Sequence, residues 1–269
     1  MSFQISAPSN FLSPYVKQYW AIENCIQPGE SHIQRIVPTG LVELFFYFGN
    51  KPKAVNKNRR LLDNTLISGQ QKEHYDIVVT GNLSTFSVTL LPQGAMMFFD
   101  LPLIELYDQT IPLQYLQKDA IDKVESDLFE SKTFSEKVFV IENFLAQKFL
   151  KNYREYDAAR INGSIRLINQ TNGIVSINTL ASRACLSRKQ YERIFGDSVG
   201  ISPKRFLRII RFQNAIFRKQ LNSKIRLTDL AYDCGYYDQS HMINDFKYLS
   251  GMTPKQYFSD CEPYSDYFK

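Results

Sequence analysis

A chain of 269 residues with 44% hydrophobic content is long enough for two cores and too apolar for a disordered tail. No run approaches the roughly 20 consecutive apolar residues that cross a bilayer, and Met1 to Asn10 has no basic segment followed by an apolar one, so a cytoplasmic protein without a membrane partner is expected. The net charge of +5 conceals an asymmetry: residues 1–158 carry 15 Lys and Arg against 18 Asp and Glu, and residues 159–269 carry 17 against 9.

Residues 1 to about 115 read as strands and turns. QRIVPTGLVELFFYFGN places a proline-glycine turn before a β-rich apolar run, and LSTFSVTLLPQGAMMFF offers a second such run. These patterns predict a barrel-like domain or a sandwich. Tyr15, Tyr19, Trp20, Phe46 and Phe48 are candidates for lining a pocket, with ordinary core packing as the alternative.

From about Gln117 to Lys151 the pattern turns helical. Phe134, Val138, Ile141, Leu145 and Phe149 recur at spacings of three and four, which fits an intradomain core or a dimer seam. Asn152 to Ile161, rich in charge and tyrosine, is the expected boundary between an N-terminal domain at 1–152 and a C-terminal domain at 159–269. The fold class is therefore α+β, with a β-rich half carrying helices followed by an all-α half.

The basic half repeats itself. INTLASRACLSRKQYERIFGDSVGISPKRF, starting at Ile177, recurs as LTDLAYDCGYYDQSHMINDFKYLSGMTPKQY at an offset of 50 and then 51 residues. Leu180 and Ala181 match Leu230 and Ala231, and Phe195, Gly200, Pro203 and Lys204 match Phe246, Gly251, Pro254 and Lys255. Each copy reads as a short helix, a turn and a second helix. Ser176 and Thr228 are the expected caps of the first helices, Ser187 and Asp238 those of the second. Tyr191, Ile194 and Phe195, and likewise Met242, Phe246 and Leu249, fall on one buried face, leaving polar residues opposite. Between the copies Pro203 to Leu221 reads as one helix with Phe206, Ile210, Phe217 and Leu221 among its apolar positions. At 1.5 Å per residue it is about 28 Å long, close to one turn of B-DNA at about 34 Å.

The region from about Ile161 to Ser259 resembles the DNA-binding domain of AraC/XylS-type transcription regulators, in which a long helix joins two helix-turn-helix units. The second copy is similar to that family's signature almost throughout, and ISPKRFLRIIRFQNAI resembles its linker helix. Two departures are Cys185, where the family usually has glycine, and Asn244, where a longer basic side chain is common. The words FLSPYVKQYW, RIVPTGLVELFFYFGN and LPLIELYDQTIPL resemble a group of such regulators with an N-terminal sensor module of uncharacterised ligand.

The resemblance implies base-facing roles for Lys189, Gln190 and Arg193, with Glu192 at their border, and for Ser240, His241 and Asn244 in the second unit. The chemistry fits: Arg reads guanine, Gln reads adenine and Glu accepts from cytosine. Phosphate contacts are expected from Arg188, Lys204, Arg205, Lys247 and Lys255. Implied partners are duplex DNA, RNA polymerase, a small-molecule effector and a second copy of the chain. A ligand would act by changing the placement of paired DNA-binding domains.

For any single Lys or Arg the plain alternative is a solvated surface charge. Cys25, Cys185, Cys234 and Cys261 form no close pair, so free thiols are expected, with Cys185 and Cys234 as small buried side chains at the turns. No catalytic residue, metal or cofactor is expected. There is no phosphate-binding glycine loop or nucleophile elbow, and His32 and His74 stand alone. The rival reading is a small-molecule-binding protein or enzyme whose helical half is only structural.

Overall fold

A computed structural model describes residues 2–55, 63–149 and 155–260. Cys261 and the first three residues of the expected boundary, Asn152 to Arg154, lie outside the described residues.

The N-terminal half contains strands β1 (Ser2–Ser6), β2 (Val16–Cys25), β3 (His32–Ile36), β4 (Val42–Tyr47), β5 (Lys53–Ala54), β6 (Thr65–Ser68), β7 (Tyr75–Val79), β8 (Asn82–Leu90) and β9 (Thr110–Pro112). They pair antiparallel in a six-stranded sheet of order β1-β2-β8-β4-β6-β9 and a three-stranded sheet of order β3-β7-β5. Among the described residues the two sheets do not close into a barrel, which corrects the barrel-like expectation and leaves the sandwich. Closure would need β1 and β9 to pair, and instead they are the two edges of the larger sheet.

Side chains alternate across a strand, so each face of the larger sheet has its own partner. Tyr19, Leu44, Phe46, Phe86 and Val88 share a core with residues of three helices: α1 (Ala95–Phe98), α2 (Gln114–Glu130) and α3 (Phe134–Lys148). Trp20, Ile22, Phe45 and Leu83 project from the opposite face and pack with Ile77 and Val79 of the smaller sheet. The single helical stretch read from the sequence is two helices. Ser131 to Thr133 breaks it, and Thr133 caps α3 in a reciprocal box with Glu136. Ile141 and Leu145 are fully buried within this domain, so that stripe is intradomain core.

The C-terminal half is helical: α4 (Glu155–Gln170), α5 (Ile177–Arg183), α6 (Arg188–Val199), α7 (Pro203–Leu221), α8 (Leu227–Asp233), α9 (Gln239–Ser250) and α10 (Pro254–Asp260). Its core is continuous from Ile165 and Leu180 through Phe195, Phe206 and Phe212 to Leu230, Phe246 and Tyr257. On α7 the buried stripe is Phe206, Ile209, Phe212, Ala215 and Ile216, whereas Phe217 and Leu221 are 54% and 72% exposed. Among the described residues, no helix is long and apolar enough to cross a membrane.

The two halves meet through the loop between β3 and β4. Val37 is buried in the helical core, and Gly40 lies so close to Phe206 that an added Cβ would sit 3.2 Å from its ring. Gln213 of α7 donates to the Pro38 carbonyl at 2.7 Å. Arg35 holds Asp76 with two hydrogen bonds at 2.8 and 2.9 Å and donates to the Ser250 carbonyl, at the end of α9, at 3.1 Å.

Candidate nucleic-acid interface

Each repeat begins with a short helix that positions a longer one. Ser176 caps α5 by accepting from the Thr179 amide at 3.0 Å, as expected. Thr228 does not cap α8. That position belongs to Arg226, and Thr228 lies within the helix, its hydroxyl donating to the Gln239 side chain at 2.9 Å. Ser187 and Asp238 do cap α6 and α9, accepting from the Gln190 and His241 amides. These caps fix where the helices start, and hence which side chains occupy the exposed first turns.

The turns are tight. Gly235 follows α8 with φ of 72°, and Cys185, its counterpart 50 residues earlier, has φ of 54°. Both are in the left-handed region, so cysteine occupies a conformation that favours glycine. Cys185 is exposed, contrary to the expectation of burial, whereas Cys234 is buried and burial pushes its thiol up to about 11.

Tyr191 and Phe195 of α6, and Met242, Phe246 and Leu249 of α9, point into the core. On the outer face of α6, Arg188, Lys189, Gln190 and Arg193 are exposed and Glu192 is half-buried. Glu192 accepts from Arg188 at 3.0 Å, while Arg193 is 70% exposed and lies 3.9 Å from Asp197. The carbonyl oxygen of the Gln190 side chain accepts from the Ser187 amide at 3.1 Å, completing a capping box and leaving its NH2 group to face outward contacts. On α9, Ser240, Asn244 and Lys247 are exposed. His241 is half-buried: its Nδ1 accepts from the Tyr237 amide at 3.4 Å and its ring meets Tyr236 edge-on, so only the Nε2 side is left for a ligand.

Lys204 and Lys255 occupy equivalent exposed positions in the first turns of α7 and α10. Arg205 stands apart, because its guanidinium lies over the Tyr107 ring at 5.0 Å and so faces the N-terminal half.

Sequence reasoning missed the group that fixes α9 against α7. Asp245, only 4% exposed, accepts from Arg208 Nε at 2.6 Å, and the Arg208 guanidinium covers the Tyr248 ring at 4.2 Å. An acidic residue inside the apolar face of α9 was the available signal.

A second site lies between the two sheets, a cavity of about 100 Å³ walled by Trp20, Phe45, Tyr47 and Tyr75 with Glu43 among them. Of the five aromatics nominated from sequence, Trp20 alone faces this cavity. Tyr19, Phe46 and partly buried Tyr15 and Phe48 pack on the helix side, because strand alternation puts Tyr19 opposite Trp20 and Phe46 opposite Phe45 and Tyr47.

Residues 180–260 match the family model described as a helix-turn-helix domain, and residues 4–112 match a domain of unknown function, DUF6597. An uncharacterized HTH-type transcriptional regulator of Haemophilus influenzae is 33% identical over 93 residues, 35% of this chain and 31% of that protein. The HTH-type transcriptional regulator Rv1931c of Mycobacterium tuberculosis is 34% identical over 86 residues, 32% of each chain. The chain thus spans about a third of the length of these curated relatives. A 1.65 Å structure of ToxT from Vibrio cholerae aligns with a TM-score of 0.48 at 12% identity, over 96% of this chain and 98% of that one. Residues 180–260 of this chain are thus similar to helix-turn-helix domains of the AraC type, and residues 4–112 to the DUF6597 domain.

Proposed function

We propose that the chain is a sequence-specific regulator of transcription that docks on duplex DNA through α6 and α9. The carrying observation is the repeated geometry: two capped helices with exposed polar faces, α6 leading into α7 and α9 packed on α7 through Arg208 and Phe212, with α7 itself about 28 Å long, near one turn of B-DNA. Lys189, Gln190, Arg193, Ser240, His241 and Asn244 are the base-facing residues in this reading, with Glu192 at their border. Arg188, Lys204, Lys247 and Lys255 contact phosphate. Arg205 is assigned to the domain junction on the strength of its Tyr107 contact.

Residues 1–152 and 159–269 are proposed as sensing and DNA-binding domains of a cytoplasmic protein, with RNA polymerase and a second copy of the chain as further partners. Effector responsiveness rests on a shared wall. Val37, Thr39 and Leu41 line the cavity, the same loop packs on α7, and Gln213 of α7 itself lines the cavity. An occupant there touches the helix that spaces the two units.

The test compares full-length protein with the Arg193→Ala and Lys255→Ala variants on a duplex selected from a random pool and on random duplex. Lost base readout makes Arg193→Ala weaken selected duplex more than random duplex, by about 5- to 100-fold. Lys255→Ala weakens both alike and lowers the salt slope by about one. Equal losses on both duplexes for both variants contradict the role assignment, and absence of duplex binding at moderate salt favours the purely structural reading of the helical half.

A further inference from the structure

We propose that the cavity between the two sheets takes a small organic cation, an aryl- or alkylamine whose ammonium group is held by Glu43 and whose apolar body lies against Trp20, Phe45, Tyr47 and Tyr75. This rests on the reading of the N-terminal half as the sensing part and names the chemistry of what it senses.

The register of β4 creates the site. Glu43, Phe45 and Tyr47 alternate with Val42, Leu44 and Phe46, so a carboxyl and two rings project from one strand to the cavity side while the apolar set joins the helix-packed core. Phe45 and Tyr47 are parallel with centroids 6.1 Å apart, and Trp20 meets Phe45 edge-on at 6.1 Å. Aromatic faces attract cations through their quadrupoles, Trp most strongly.

The cavity wall leaves hydrogen-bond acceptors open. Gln71 donates its side-chain NH2 to the Gly69 carbonyl and the Ser68 hydroxyl, both at 2.8 Å. A carbonyl partner fixes the amide orientation, so the oxygen is the free end, and Gln71 Oε1 is buried with no hydrogen-bond partner. Thr85 Oγ1, also on the cavity wall, is likewise buried and unpartnered. Glu43 accepts from the Thr89 hydroxyl at 3.1 Å. Among the described wall residues there is no Lys, Arg or His. A carboxylate ligand would find hydroxyl donors such as Thr85 but no positive charge, and would lie beside the Glu43 carboxyl, whereas an ammonium group brings donors for Gln71 Oε1 and Glu43 together with the missing charge.

The electrostatics of Glu43 agree. Burial pushes its carboxyl up to about 7, against the smaller opposing effects of the hydrogen bonds from Thr89 and Trp20 and of the charge on Lys17 of β2. The resident groups thus leave the charged form under-stabilised, and a cation seated beside it supplies the deficit.

The test uses the full-length protein and three compounds of similar shape: 2-phenylethylamine, 2-phenylethanol and phenylacetate, titrated calorimetrically at pH 7.5. The amine is expected to bind at least about ten-fold more tightly than the alcohol, with phenylacetate weakest. Glu43→Gln is expected to bring amine and alcohol within about two-fold of each other. The wild-type ranking stands whether or not the variant folds. Equal binding of amine and alcohol, phenylacetate binding best, or no binding of any of the three at millimolar concentration overturns the proposal. Duplex affinity measured on the same samples separates the two claims: retained DNA binding without amine preference overturns the cavity assignment alone, and amine preference without DNA binding overturns the regulator reading alone.

Discussion

Gln213, in the middle of α7, donates to the carbonyl oxygen of Pro38 across the junction of the two halves at 2.7 Å, and its side chain also walls the inter-sheet cavity. One residue therefore touches the helix spacing the two helix-turn-helix units, the loop that docks on that helix, and the cavity. Gln213→Leu removes the donor and leaves the Pro38 carbonyl beside an apolar group. A loss of about 1 to 2 kcal/mol is expected, read from urea denaturation of the full chain. An unchanged midpoint would show that the contact contributes nothing to holding the halves together.

The Arg208 and Asp245 pair is expected to fix the seat of α9. Arg208→Ala strands a carboxylate that is 4% exposed, at a cost of about 3 kcal/mol, whereas Arg208→Met with Asp245→Leu replaces the pair by apolar contact and recovers most of that loss. Additive losses in the double variant, measured by denaturant titration, would mean that the two side chains act independently.

Cys185 and Gly235 make a matched pair of opposite sign. Cys185→Gly relieves a left-handed residue and is expected to raise Tm by about 1 to 3 °C after the entropic cost of glycine. Gly235→Ala is expected to lower Tm, because its Cβ would come within 2.5 Å of Ile174 as well as adopting φ of 72°. Calorimetric scans showing both shifts in the same direction would contradict this account of the turns.

Much of the helical half was legible in the sequence because its signals are local and doubled. Ser187, Asp238, Gly200, Gly251 and Pro203 mark ends and starts within a few residues, and the repeat shows each twice. Thr228 misled because hydroxyl chemistry suits a cap at several neighbouring positions, and only backbone geometry selects Arg226. The junction was not legible. Val37, Pro38 and Gly40 read as a turn, and nothing in their spacing says that the turn inserts beside Phe206, 166 residues beyond Gly40. The cavity was half legible: VELFFYF announces a strand, but which of its alternating sets meets helices and which meets the second sheet depends on pairing between distant strands.

Glu43 sets an expected pH dependence. Its carboxyl is raised by burial from 4.5 to about 7, so the folded state holds a proton that the unfolded chain releases near 4.5. Its favourable contribution is full below 4.5 and is lost as pH rises through about 7. The charged and titratable groups around it are Lys17 on β2 and the cavity tyrosines Tyr47 and Tyr75. Thermal scans of the free protein should show Tm falling between pH 5 and 7.5, and Glu43→Gln should flatten that decline. An unchanged slope in the variant would place the titration elsewhere.

Guanine-methylation interference on the selected duplex tests the central claim most directly. Two helices entering successive major grooves give two clusters of interfering guanine N7 positions, centred about 10 base pairs apart on one face of the duplex. The cluster assigned to α6 disappears with Arg193→Ala while the other remains. A single cluster, or two whose spacing places them on opposite faces, contradicts the account.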